Sequence, residues 1–171
     1  VNVSCPNVVG LTALQDISFL GEIVDKLLEL RMYYDTYKPI LLKVSPDLAH
    51  QQLDEIIEYC LRSGIDGIVA GNTTRSREGI TSISKEKIEA IGNGGMSGAP
   101  VHNKNLELVR YVHSRSNGKL PIIGVGGIMS PQQAKAMLDA GASLVEIYTG
   151  FIYEGPALVK NIIKFLENDA K

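Results

Sequence analysis

Apolar residues follow two rhythms along this chain. Short, nearly unbroken runs of β-favouring residues occur at Val1–Ser4, Ile40–Val44, Gly67–Ala70, Pro121–Val125 and Leu144–Tyr148. Runs without polar alternation suit strands buried on both faces, as in parallel sheets. Between them, apolar positions recur at helical spacing. Ile17, Leu20, Ile23, Val24, Leu27 and Leu28 form one such stripe. Leu53, Ile56, Ile57, Cys60 and Leu61 form the next, stopped by Gly64, and Leu158, Val159, Ile162, Ile163 and Leu166 form the last. Another helix is expected from Ser130-Pro131, an N-cap followed by proline at the first helical position, to a close at Gly141.

Strand–loop–helix units in series predict an α/β fold with right-handed crossovers. An open doubly wound sheet and a (β/α)8 barrel both satisfy this order. Residues 74–104 are too long for a simple crossover and hold Gly79, Gly92, Gly94, Gly95, Gly98 and Pro100. A loop or hairpin over one face of a single domain is expected there.

Polar residues gather just after the apolar runs. Asn2, Ser4, Cys5 and Asn7 lie at the first, Lys43 at the second, and Asn72, Thr73 and Thr74 after the third. Gly124, Gly126 and Gly127 end the fourth, and Tyr148 and Thr149 end the fifth. In a parallel α/β protein these ends share one face, where active sites sit. Gly124-Val-Gly-Gly127 either makes a tight turn or lets backbone N–H groups approach a phosphate, aided by the helix N-terminus near Ser130. It does not fit GxGxxG, because Met129 stands at the third glycine position. Lys43, inside an apolar run, must snorkel or face a polar centre. Cys5 is either a small buried hydrophobe or a tuned acid–base group, whereas Cys60 sits on an apolar helical stripe.

Composition narrows the classes. The 171 residues carry 17 basic and 19 acidic side chains, a formal charge of −2, so no basic footprint for nucleic acid is present. At 44% hydrophobic the chain can build a core. No run of about eighteen apolar residues exists to span a bilayer. Two cysteines outside any CxxC pattern suggest a reducing, intracellular setting. His50, His102 and His113 share no metal-ligand spacing, so no metal site is expected. The chain lacks an initiator Met and reads as strand from its first residue, so a piece beginning inside a domain is expected.

Six segments together resemble dihydroorotate dehydrogenase. They are Asn2-Val-Ser-Cys-Pro-Asn7, Leu42-Lys43-Val-Ser-Pro-Asp47, Asn72-Thr-Thr74, Gly94-Gly-Met-Ser-Gly98, Ile122-Ile-Gly-Val-Gly-Gly127 and Ile147-Tyr-Thr149, in order over nearly the whole chain. The resemblance implies an FMN-binding (β/α)8 TIM barrel, of which this chain would be the C-terminal five strands. A full barrel takes about 250 residues, so three units would be missing.

The resemblance also implies roles. Lys43 would stabilise reduced, anionic FMN. Asn2, Gly71, Ser97, Gly98, Val125, Gly126, Gly127, Tyr148 and Thr149 would contact FMN, mainly its phosphate side. Asn2, Asn7, Asn72 and Thr73 would hydrogen-bond dihydroorotate or orotate. Cys5 would take the C5 proton of dihydroorotate while hydride passes from C6 to flavin N5. Gly10-Leu-Thr-Ala-Leu-Gln15 and Gly94–Pro100 look like the membrane-associated class, with quinone as acceptor and a peripheral place on the cytoplasmic side of the inner membrane. Cys5 is similar to the soluble class that uses fumarate or NAD, since the quinone class usually has Ser there; the quinone class is favoured. The other readings are another FMN barrel acting on a pyrimidine and a non-catalytic phosphate- or flavin-binding barrel fragment. Oligomeric state is not readable.

Overall fold

Four of the five apolar runs form strands in the computed structural model, which describes residues 1–4, 17–78, 80 and 83–169. They are β1 (Leu41–Val44), β2 (Gly67–Ala70), β3 (Ile122–Val125) and β4 (Leu144–Glu146). All pair parallel, in the order β1-β2-β3-β4. The first run is not a full strand. Asn2 makes one parallel bridge to Lys43, flanked by bonds from the Val1 amine to Leu41 O at 2.7 Å and from Lys43 N to Val1 O at 2.8 Å. The Ser4 amide turns to the Asn2 side chain (3.3 Å), a local bond that competes with the ladder. The fifth position of the sheet is therefore marked by a bridge beside β1.

The helices are α1 (Ile17–Arg31), α2 (His50–Ser63), α3 (Lys85–Ile91), α4 (His102–Arg115), α5 (Pro131–Asp139), α6 (Thr149–Glu154) and α7 (Pro156–Asp169). Gly64 ends α2 in the left-handed region (φ 83°), as a C-terminal glycine does. Ser130 caps α5 by accepting from Gln133 N. Ala140 occupies the C-cap there, one residue before the expected Gly141. Helix α4 has no clean apolar stripe, because His102 and Asn105 share its buried face with Leu106, Val109 and Val112.

Among the described residues, one layer of helices coats the sheet. Neighbours pack in the order α1, α2, α4, α5, α7. Alternation along the strands sends Leu42, Val44, Ile68, Ala70 and Ile122 toward that layer, all essentially buried. The register aligns Lys43, Val69, Ile123 and Leu144 on the other face, where Leu144 is 62% exposed. A doubly wound sheet carries helices on both faces, whereas a barrel carries one outer ring around an inner face of side chains. The single coat distinguishes the two architectures that the order of elements left open, in favour of an arc of barrel.

The excursion after β2 closes on itself. Thr74 and Met96 form an antiparallel bridge, with N–H···O distances of 3.1 and 2.8 Å. Arg77 donates to the carbonyls of Thr74 (3.1 Å), Gly92 and Gly94, tying the two limbs together around α3. A 3-10 turn at Ala99–Val101 then leads into α4.

Candidate functional site

Parallel strands deliver their C-terminal ends to one rim, and a cavity of about 290 Å3 lies there. β1 contributes Lys43 and the segment after β2 contributes Asn72 and Thr73. The close of the excursion contributes Ser97 and Gly98, and β3 with its loop contributes Val125, Gly126 and Gly127. Tyr148 and Thr149 line it at the start of α6. Ten of the residues singled out from the sequence thus share one wall. Asn2 and Gly71 are not among the lining residues: Asn2 is exposed at the sheet edge, and Gly71 is buried behind the rim. Cys5 and Asn7 lie outside the described residues. Val101, Ile128, Glu146 and Ile147 also line the cavity without having been anticipated. Glu146 pairs in register with Val125 and shares the inner face; a lone Glu at a strand end carries no signal of that in sequence.

Three glycines shape part of this wall. Gly98, Gly126 and Gly127 have φ of 81°, 111° and 72°. A Cβ on Gly127 would lie 2.5 Å from the His102 amide nitrogen, and one on Gly98 would lie 3.2 Å from Thr149 Cγ2. Only a residue without Cβ lets these backbones approach so closely. The helix N-terminus that borders the cavity is that of α6 rather than α5. In α5 the Met129 amide donates to Gln133 Oε1 (2.8 Å) and the Gln133 amide to Ser130 Oγ (3.3 Å), so the end is closed by its own side chains.

A second layer of polar groups holds the lining in place. Asn105, fully buried on α4, accepts from the Asn72 amide (3.3 Å) and donates to the Asn72 carbonyl (3.1 Å). The Asn72 side chain donates to Ser4 Oγ (2.7 Å), which donates to Asn2 Oδ1 (3.0 Å). The Thr73 amide donates to Asn72 Oδ1 (2.8 Å). Asp47, after β1, accepts from Thr74 Oγ1 (2.5 Å), the Arg75 amide (2.8 Å) and Lys104 of α4. Burial works to raise the Asp47 carboxyl, but the bonds from Lys104, Thr74 and Arg75 outweigh it and hold its pKa below the ordinary 3.8. His102 is buried behind the glycine loop. Burial pulls its pKa below 6.5 against the opposing Gly126 carbonyl, and its Nδ1 has no partner among the described residues. Burial pushes the Cys60 thiol up to about 12, which leaves it inert on α2.

The sequence matches the family model described as Dihydroorotate dehydrogenase over residues 1–169. Relatives named dihydroorotate dehydrogenase (quinone) include that of Christiangramia forsetii, 47% identical over 95% of this chain and 46% of its own length. Those of Salinispora arenicola (44%, covering 94% and 45%) and Bordetella avium (42%, covering 100% and 49%) agree. The chain therefore spans about half the length of the curated relatives it matches. The crystal structure of ligand-free DHODH from Eimeria tenella superposes with a TM-score of 0.88 at 30% identity, over 98% of this chain and 49% of that one. A one-layered parallel arc, glycine-lined at its rim and matched along nearly its whole sequence, belongs to the dihydroorotate dehydrogenase family.

Proposed function

We propose that this chain carries the flavin- and substrate-holding side of an enzyme that oxidises dihydroorotate to orotate in pyrimidine synthesis. The observation that carries the reading is the convergence of Lys43, Asn72, Thr73, Ser97, Gly98, Gly126, Gly127, Tyr148 and Thr149 on one cavity. The relatives' names favour quinone as the electron acceptor. Peripheral contact with the cytoplasmic face of the inner membrane belongs to the same reading. No helix among the described residues is long and apolar enough to cross a membrane.

FMN fits the residues present. At Gly126 and Gly127 a Cβ would run into Asn105 and His102 of α4, so these positive-φ glycines let the loop lie close on α4 and leave its cavity side free of side chains, where backbone N–H groups can meet a phosphate. Gly126, Gly127, Ser97, Gly98, Tyr148 and Thr149 would hold that phosphate, and Gly71, Val125 and Asn2 would flank its approach. When bound, FMN supplies the acceptor for the hydride that leaves dihydroorotate. Lys43 places a fixed positive charge on the inner face, where it favours negative charge arriving during reduction. Asn72 and Thr73, with Asn2 and Asn7, orient the planar substrate through amide and hydroxyl hydrogen bonds. Cys5, as thiolate, takes the C5 proton and becomes the thiol.

The test is an absorbance spectrum of the protein carrying this chain, alone, with dihydroorotate, and then with a quinone. Flavin bands should bleach with dihydroorotate and return with the quinone. Flavin bands indifferent to dihydroorotate would overturn the reading.

A further inference from the structure

We propose that Asn105 is a positioning residue that fixes the backbone of Asn72, which lines the cavity, and through it the chain of hydrogen bonds to Ser4 and Asn2 beside the cavity. The inference deepens the reading of the cavity as a dihydroorotate site and rests on it.

A side-chain amide offers one acceptor and one donor in a plane. Asn105 spends both on a single residue, accepting from the N–H of Asn72 and donating to its C=O. Asn72 leaves the end of β2 without a ladder partner, so its backbone groups need this substitute. The room for it is made by glycine on both sides. A Cβ on Gly126 would lie 2.2 Å from Asn105 Nδ2, and one on Gly71 would lie 2.7 Å from Asn105 Oδ1. Asn105 is thus wedged between the ends of β2 and β3, fully buried. Its hold passes outward through Asn72 Nδ2 to Ser4 Oγ and on to Asn2. Asn105 does not itself line the cavity; it bonds Asn72 and backs Gly126, both of which do, and its side-chain hydrogen bonds go to Asn72, so its effect on substrate binding runs through Asn72.

No other common side chain does this in the same space. Leucine keeps the shape and loses both bonds. Glutamine is one methylene too long for a slot closed by two glycine backbones. Aspartate keeps the acceptor, loses the donor and adds a buried charge.

The test compares wild type with Asn105→Leu and Asn105→Ala in the protein carrying this chain. Val109→Ala on the same helix serves as the control, since Val109 is also fully buried but bonds nothing at the rim. Without any ligand, hydrogen exchange of residues 71–74 should quicken about tenfold in the Asn105 variants, as the loss of two hydrogen bonds predicts. With ligand, the KM for dihydroorotate and the Kd for orotate should rise about tenfold or more, while flavin content stays at the wild-type level. Val109→Ala should lower Tm and leave KM unchanged. Unchanged KM in a flavin-retaining Asn105 variant overturns the proposal. Parallel loss of flavin, substrate binding and fold in both Asn105 variants does so too, because Asn105 would then be structural. If wild type itself lacks dihydroorotate-dependent bleaching, the functional reading fails instead, and the exchange rates still decide whether Asn105 fixes Asn72.

Discussion

At the scale of single residues, the site depends on atoms that are absent as much as on those present. Gly127 has a positive φ and no space for a Cβ, whereas Gly64 has a similar φ and open space around it. Gly127→Ala should therefore cost about 1–3 kcal/mol of local strain and strip flavin from the cradle, read as flavin absorbance after gel filtration. Gly64→Ala should cost about 1 kcal/mol of stability and leave flavin content alone. Cys5 makes a different prediction. A thiol base titrates near pKa 8.5, so flavin bleaching by dihydroorotate should speed up with pH through that range. Cys5→Ala should slow bleaching by at least about a hundredfold, the scale of general-base catalysis; bleaching at the wild-type rate would remove Cys5 from that role. Polar residues at strand ends were legible because each sat beside an apolar run. Asn105 was not, since its partner Asn72 lies 33 residues away and nothing local links them.

At the scale of elements, α4 does most of the positioning and was the hardest to read. Two polar residues interrupt its buried face, and both are explained by the rim: His102 backs the glycine loop and Asn105 holds Asn72. Its Lys104 reaches Asp47 and Thr74, joining the segments after β1 and β2. Because the folded Asp47 carboxyl lies below 3.8, its contribution is present at neutral pH and is lost as pH falls through the folded value. Wild type and Asp47→Asn should differ in Tm at pH 7 and converge below 3.8 in thermal melts. The difference at pH 7 should be small, about 1 kcal/mol, because Lys104 is partly exposed. Helices α1, α2 and α7 were readable because their apolar stripes are unbroken, and β1 to β3 because parallel strands are buried runs; β4 has the same apolar opening although Leu144 and Glu146 are exposed. The run Val1–Ser4 alternates valine with Asn2 and Ser4 and makes only a bridge, because Ser4 bonds to Asn2 instead of to β1.

At the scale of the whole molecule, the order of elements left barrel and doubly wound sheet open, because both place the same elements in the same order, whereas the resemblance of the six motif segments already pointed to the barrel. The choice turns on which side of the sheet each helix takes, and the single coat on the faces of Leu42, Ile68 and Ile122 decides it. The cavity draws its lining from β1, β3, β4 and the segment that follows β2, from Lys43 to Thr149. A ligand bound there braces the ends of three strands and the segment after β2 at once, and binding to the folded state alone stabilises it by about 2.7 kcal/mol at a hundred times Kd. FMN and orotate together should therefore raise Tm more than either alone, measured by differential scanning fluorimetry; equal shifts would argue against a shared site. The bare inner face adds a sense of direction. Its row of Lys43, Val69, Ile123 and Leu144 grades from a cation to a plain aliphatic wall across three strand spacings, about 14 Å. Of that row only Lys43 lines the cavity, so the arc has a polarity of its own, with its cation at the site and its aliphatic end away from it.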